Sequence, residues 1–243
     1  MADHARSGSG PATPAAVRPH RTWTVAVDGE VYAEPLVSGR PVIVATENNS
    51  VYSLKATDGA GMWRTHLGEP VPSAKLECGN IDPNGITSTP VLDPAGGMVY
   101  AVAMLDGPIR HELFALRLTD GIVAGHCPVD PPGGDPGYHQ QRGSLNLGGG
   151  RVCFSYGGFT GDCGNYHGAV VSARIDGTGP LSSWLVPSQN QGAIWAPPGP
   201  LVSSSGDVWV STADTDQGNP LLEYDGGNAV MGLRADLAGP IDS

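Results

Sequence analysis

The 243-residue sequence carries a net charge of -11 and no run of lysine or arginine, so it lacks the clustered cations a phosphate backbone requires, and nucleic acid is disfavoured as a partner. Its longest uncharged apolar stretches, 41–46 and 98–105, have strand length, far below the roughly 20 residues of a spanning helix, which argues against a membrane span. Thirty-six glycines and 22 prolines beside 40% hydrophobic content point to a turn-rich β protein rather than a disordered one.

Residues 1–21 have no apolar signal core and read as a flexible leader. Trp23 to Val27 reads as the last strand of a sheet preceding the first complete one. Pro35-Leu-Val and Val42-Ile-Val-Ala then form a pair of strands across a glycine-bearing turn, followed by Val51-Tyr-Ser-Leu-Lys-Ala-Thr-Asp-Gly59 and a strand holding Trp63. The pattern returns with Pro90-Val-Leu, Val99-Tyr-Ala-Val and Leu113-Phe-Ala-Leu-Arg-Leu-Thr-Asp-Gly121, which matches the first copy position by position. A third copy runs through Ser144-Leu-Asn-Leu, Val152-Cys-Phe-Ser and Val170-Val-Ser-Ala-Arg-Ile-Asp-Gly177, with Trp184 as its closing aromatic. The fourth runs through Pro200-Leu-Val and Val208-Trp-Val-Ser to a corner at Asp225-Gly226, and lacks a closing Trp strand.

Each Asp-Gly supplies the positive-φ residue that joins two antiparallel strands. Four such strands, repeated at a period in the range of propeller blades, define an all-β fold: a β-propeller of four-stranded antiparallel blades, about four of them. The expected blades are 31–68, 86–128, 141–187 and 193–243. An open arc exposes the apolar outer faces of its end blades, so the chain is expected to be a fragment of a longer product or an arc completed by a second chain.

The Lys55-Ala-Thr-Asp-Gly-Ala-Gly-Met-Trp63 segment resembles the blade-closing pattern of the quinoprotein-like (PQQ-binding-like) β-propeller repeat family, with the turn glycine shifted by a residue. The runs Ala45–Leu54, Glu77–Val91, Gln141-Arg142 and Gly161–Gly168 are similar to exported bacterial members of that family. The resemblance covers about 22–237 and implies a ring of seven or eight blades and an exported location. In the enzymes of the class it further implies pyrroloquinoline quinone (PQQ) in the axial funnel, a calcium ion held by Glu, Asn and Asp oxygens, and an Asp base. The vicinal Cys-Cys pair of the alcohol-dehydrogenase branch is missing. The resemblance also favours pairing Cys78 with Cys163, in the loops shared with the family.

The residues open to cofactor or ligand binding are Glu47, Asn48, Asn80, Asp82, Arg142, Asp162 and His167. Asn48, Asn80 and Asp82 have an alternative as turn-makers through Asx bonds, which is also the reading of Asn49. Loop 161–168, which holds Asp162 and His167, either projects to the channel mouth or is a hairpin pinned by Cys163. Arg142, behind Gln140 and Gln141, either reaches into the channel toward a small polar ligand or makes an inter-blade ion pair. His111, His139 and His167 lie 28 residues apart, a spacing that blade repetition could bring to one face. With no Ser elbow, phosphate loop or His-Glu-x-x-His stretch in the sequence, hydrolase and nucleotide chemistry lack support. The expected function is a ligand- or protein-binding scaffold, with a quinone-dependent alcohol or sugar dehydrogenase, or a non-functional fragment of one, as the alternatives.

Overall fold

The computed structural model describes residues 21–216 and 224–241; the expected leader falls almost wholly outside them. The chain forms four antiparallel sheets in sequence order. The first contains β1 (Leu36–Val37), β2 (Pro41–Ala45), β3 (Ser50–Lys55) and β4 (Gly61–His66). The second contains β5 (Val91–Asp93), β6 (Met98–Leu105), β7 (Arg110–Arg117) and β8 (Val123–Pro128). The third is built from β10 (Asn146–Gly148), β11 (Arg151–Gly158), β12 (Ala169–Arg174) and β13 (Ser182–Leu185), with the short β9 (His139–Gln140) paired to the end of β11. The fourth has β14 (Leu201–Val202), β15 (Val208–Ser211) and β16 (Val230–Leu233).

Side chains alternate across a strand, so a sheet between two others buries both of its faces. Strand β6 does this: Val99, Ala101, Ala103 and Leu105 join Ile43, Ala45 and Val51 in one core, while Tyr100 and Val102 join Val152, Phe154 and Tyr156 in the next. A third core unites Val170, Trp184 and Ile194 with Val208, Val210 and Leu233. Among the described residues no core cluster joins the fourth sheet to the first. The first strands converge, with β10 lying against both β5 and β14, and Leu145 N donating to Thr89 O at 3.0 Å. The architecture is a partial β-propeller.

The Asp-Gly corners recur as expected at Gly59, Gly121 and Gly177, with φ of 73°, 71° and 69°. At Gly121 a Cβ would lie 2.4 Å from the Trp63 ring, so this corner needs glycine for space as well as for φ. Trp63 Nε1 donates to Leu118 O at 3.0 Å, tying one sheet's last strand to the next sheet's corner. Trp23 makes the same contact with Gly59 and with Ala56 O at 3.0 Å, although residues 21–27 form no strand. The expectation of a preceding strand there is therefore corrected to a docked extended segment.

Two further readings change. Trp63 pairs with Ser53, and the corresponding place in the third sheet is Ser182, paired with Ser172. Trp184 pairs with Val170, two residues along, and fills the core between the third and fourth sheets. In the fourth sheet Asp225-Gly226 precedes β16, so it is not the corner. By register, Leu233 opposite Val208 corresponds to Leu54 opposite Val42. The corner is Asp236-Leu237, with Leu237 at φ 60° and its N–H bonded to Arg234 O. Leu237 is buried in the core, and that burial offsets the roughly 1 kcal/mol a non-glycine residue costs in this conformation.

Candidate functional site

In an antiparallel meander the corners and the second-to-third strand loops lie at opposite ends. The loops 46–49 and 159–168 therefore share an end with the connections between sheets, 67–90 and 129–145. The buried polar residues Glu47, Asn49, Asn84, Thr87, Ser88, Gln140 and Gln141 gather at this end.

Glu47 is 1% exposed. Its Oε2 accepts from Gly85 N at 2.7 Å and Thr87 Oγ1 at 3.1 Å, while Oε1 has no protein partner. The backbones pack so closely that a Cβ on Gly85 would stand 2.1 Å from Glu47 O. Asn84 is held by paired backbone bonds with Val71 and by its own side chain, which donates to Ile81 O. Gln141 Nε2 donates to Gly143 O at 2.6 Å, and Asn49 Nδ2 to Met104 O at 2.8 Å. Asn49 Oδ1, Ser88 Oγ, Gln140 Oε1 and Gln141 Oε1 are buried without a protein partner. Asn84, Gly85, Thr87, Met104, Gln140 and Gln141 border a gap of about 10 Å³, the scale of one water molecule.

Burial pushes the Glu47 carboxyl up to about 7, against the opposing pull of the Gly85 and Thr87 bonds and the charge of Arg142. A carboxyl balanced near neutrality can accept or donate a hydrogen bond according to its proton.

The expected site residues separate into two groups. Glu47 and Arg142 belong to this end of the inner connections; Arg142 lies exposed between β9 and β10, outside any strand, and makes no ion pair among the described residues. Asn48 donates its amide to Asp28 O. Asn80, Asp82 and Asp162 belong to a loop pair closed by the Cys78–Cys163 disulfide, the pairing the family resemblance favours. Within it Thr160 Oγ1 donates to Asn80 Oδ1 at 3.1 Å, Ser73 N to Asp82 Oδ1 at 2.8 Å, and Tyr166 OH to Asp162 Oδ1 at 2.6 Å. His167 is half-buried, with Ser188 Oγ 3.4 Å from its Nδ1.

The three evenly spaced histidines do adjoin. His111 and His139 both make edge-on contacts with the Tyr156 ring, at ring centroids of 5.1 and 6.3 Å, and His139 also meets the ring of Tyr166, the neighbour of His167, at 6.2 Å. Burial lowers the His139 pKa, and His111 Nδ1 lies 2.8 Å from Asp130 Oδ1. Sequence reasoning missed Asn84, Thr87 and Ser88, and treated Asn49 only as a turn-maker. Among the described residues no group of three or more His, Cys, Asp and Glu side chains could hold a metal. A calcium ion takes about six to eight oxygens, with carboxylates prominent. Here one carboxylate stands among amides, and Asp82 and Asp162 are bound within their own loops, so these residues do not fit the ion.

Repeated antiparallel sheets around converging first strands, with buried polar groups at one end, define a partial β-propeller. The family model PQQ_2, described as outer membrane protein assembly factor BamB, matches residues 20–215, and the chain belongs to that family. No curated protein matches the sequence. Among solved structures, quinohemoprotein alcohol dehydrogenase from Comamonas testosteroni is 17% identical with a TM-score of 0.65, over 88% of this chain and 34% of its own. Quinohemoprotein alcohol dehydrogenase ADHIIG from Pseudomonas putida HK5 is also 17% identical, with a TM-score of 0.67, over 90% and 35%. A europium-containing methanol dehydrogenase is 15% identical with a TM-score of 0.60, over 85% and 40%. The chain thus spans about a third of the length of the two alcohol dehydrogenases, and at these identities the likeness is one of fold.

Proposed function

We propose that this arc is a binding scaffold that receives an uncharged, hydroxyl-rich small molecule of the pyranose class at the inner end of its second and third sheets, with one hydroxyl entering the water-sized gap and the ring resting outside it. The observation that carries the reading is the set of buried oxygens without protein partners on Glu47, Gln140 and Gln141, beside Asn84 and Thr87. A sugar hydroxyl in the place of one water can donate to such oxygens, and a buried acceptor left unmade costs about 1–3 kcal/mol. Arg142 stands at the exposed rim.

In this reading the units are the blades near 31–68, 86–128, 141–187 and 193–243, preceded by a leader over 1–21, and further blades or a second chain extend the arc. Support for that extension comes from the fourth sheet, where Leu201, Trp209 and Val230 are 40%, 44% and 74% exposed. Apolar strand surface of this kind is normally covered.

The test is calorimetric titration with a panel of pyranoses, run beside PQQ with calcium, an alcohol and a reporter dye. Heat with at least one sugar, weakened about tenfold in Gln141→Leu by the loss of about 1.4 kcal/mol, and no dye reduction are expected. Absence of heat across the panel overturns the reading, and dye reduction overturns it in favour of a quinone-dependent dehydrogenase.

A further inference from the structure

The first two seams share one device, the third–fourth junction replaces it with the buried Leu237 at the corner, and the junction between the second and third sheets has neither. The Trp23 ring covers Gly59, 2.7 Å from where a Cβ would be, and the Trp63 ring covers Gly121 at 2.4 Å; each indole N–H donates to a corner carbonyl at 3.0 Å. Between the second and third sheets the place of Trp63 is taken by Gly125, paired with Ala115 as Trp63 is with Ser53. The receiving glycine is Gly177, and a Cβ on either Gly125 or Gly177 would meet nothing within 4 Å.

Strand register aligns Lys55, Arg117 and Arg174 opposite Pro41, Met98 and Arg151. Ile175 therefore holds the carbonyl equivalent to those of Ala56 and Leu118. Its partner is the Tyr100 hydroxyl at 3.4 Å, long for a hydroxyl donor. What remains is a cavity of about 210 Å³ bordered by Met98, Tyr100, Leu113, Ala115, Cys127 and Ile175. In another protein, a dry engineered cavity of about 150 Å³ is enough to take up benzene.

We propose that this cavity is a binding site for a planar aromatic molecule of indole size, which occupies the space that Trp23 and Trp63 fill at the first two seams. The Tyr100 ring and the Met98 thioether offer aromatic and sulfur contacts, and the Ile175 carbonyl, weakly engaged by Tyr100, accepts the ring N–H. The site is formed by the second and third sheets, apart from the Glu47 cluster, and stands independently of the proposed sugar site.

The probe is indole, and Cys127 reports on it. Cys127 borders the cavity and is half-buried, with burial and the Glu112 charge raising its thiol, whereas Cys153 is fully buried with its thiol pushed up to about 12, so iodoacetamide reaches Cys127 first. Indole at about ten times its dissociation constant fills about nine sites in ten and slows alkylation about tenfold by mass action. Gly125→Trp is expected to slow alkylation without indole, to become insensitive to indole and to melt at a higher temperature. Ala115→Leu, which narrows the cavity with a smaller insertion, is expected to weaken protection by indole. Failure of millimolar indole to protect Cys127 in the unaltered protein overturns the proposal, as does undiminished protection in a folded Gly125→Trp or Ala115→Leu variant.

Discussion

Replacing Glu47 by Gln removes the most strongly perturbed carboxyl of the inner cluster and yields a pH-dependent effect of definite sign. In the folded chain burial raises this group from 4.5 to about 7. The native state therefore holds the proton more tightly than the unfolded chain does. The stabilisation linked to that proton is fully present below pH 4.5, declines as pH rises and is lost above about 7. The gap of about 2.5 pH units, at about 1.4 kcal/mol each, gives about 3 kcal/mol between the two limits. A glutamine is neutral throughout, and its oxygen can still accept from Gly85 N. The Gln variant should resemble the parent at pH 4.5 and gain on it steadily, reaching about 3 kcal/mol, on the order of 10 °C in melting temperature for a chain of this size, by pH 8. Thermal melts of both proteins at half-unit intervals from pH 4.5 to 8 measure the difference. Parallel curves across that range would refute the reasoning, since they would mean that Glu47 titrates as an ordinary carboxyl.

Trp63→Ala should cost about 3 kcal/mol in chemical denaturation, because it opens a void in the first junction and strips Leu118 O of its donor. Gly121→Ala should cost about 2 kcal/mol or more, since the added methyl meets the Trp63 ring, whereas Gly177→Ala, with open space around it, should cost only about 1 kcal/mol of backbone strain; equal losses would contradict the seam geometry. Reducing the Cys78–Cys163 bridge, whose partners are 85 residues apart, should lower stability by up to about 4.6 kcal/mol on chain-entropy grounds, measured by melts with and without reductant. Tyr156→Phe should cost about 1 kcal/mol, because the buried hydroxyl donates to Val129 O at 2.9 Å.

The propeller was legible because its corners are chemically constrained. Lys55 to Gly59 and Arg117 to Gly121 repeat since each corner needs an Asp to cap the turn and a glycine at positive φ; Asp58 and Asp120 both accept from the N–H two residues on. The fourth corner was hidden because Leu237 occupies the glycine position, and a search for Asp-Gly found Asp225-Gly226 instead. The signal that marks it is Leu233-Arg-Ala-Asp236, which keeps the leucine of the first two copies and the cation and acid of all three. Trp184 misled for a related reason: a displacement of two residues leaves a strand side chain on the same face, so hydropathy alone cannot fix its level.

At the inner cluster, Gln140-Gln141-Arg142 was readable as polar chain entering a channel, but Thr87 and Ser88 looked like ordinary loop residues. Their burial comes from the path of the connection 67–90 beneath Glu47, a tertiary fact with no local trace. Asp82, Asn80 and Asp162 were attractive as oxygen ligands; instead their oxygens accept bonds that shape the disulfide-closed loops.

Nitrogen-15 labelled glutamine side chains give the sharpest view of the proposed sugar site. On saturation with a pyranose that titrates, the amide signals of Gln140 and Gln141 are expected to move while those of Gln191, which pairs with His167 and does not border the gap, stay in place. Unmoved Gln140 and Gln141 signals in the presence of a bound sugar would contradict the account.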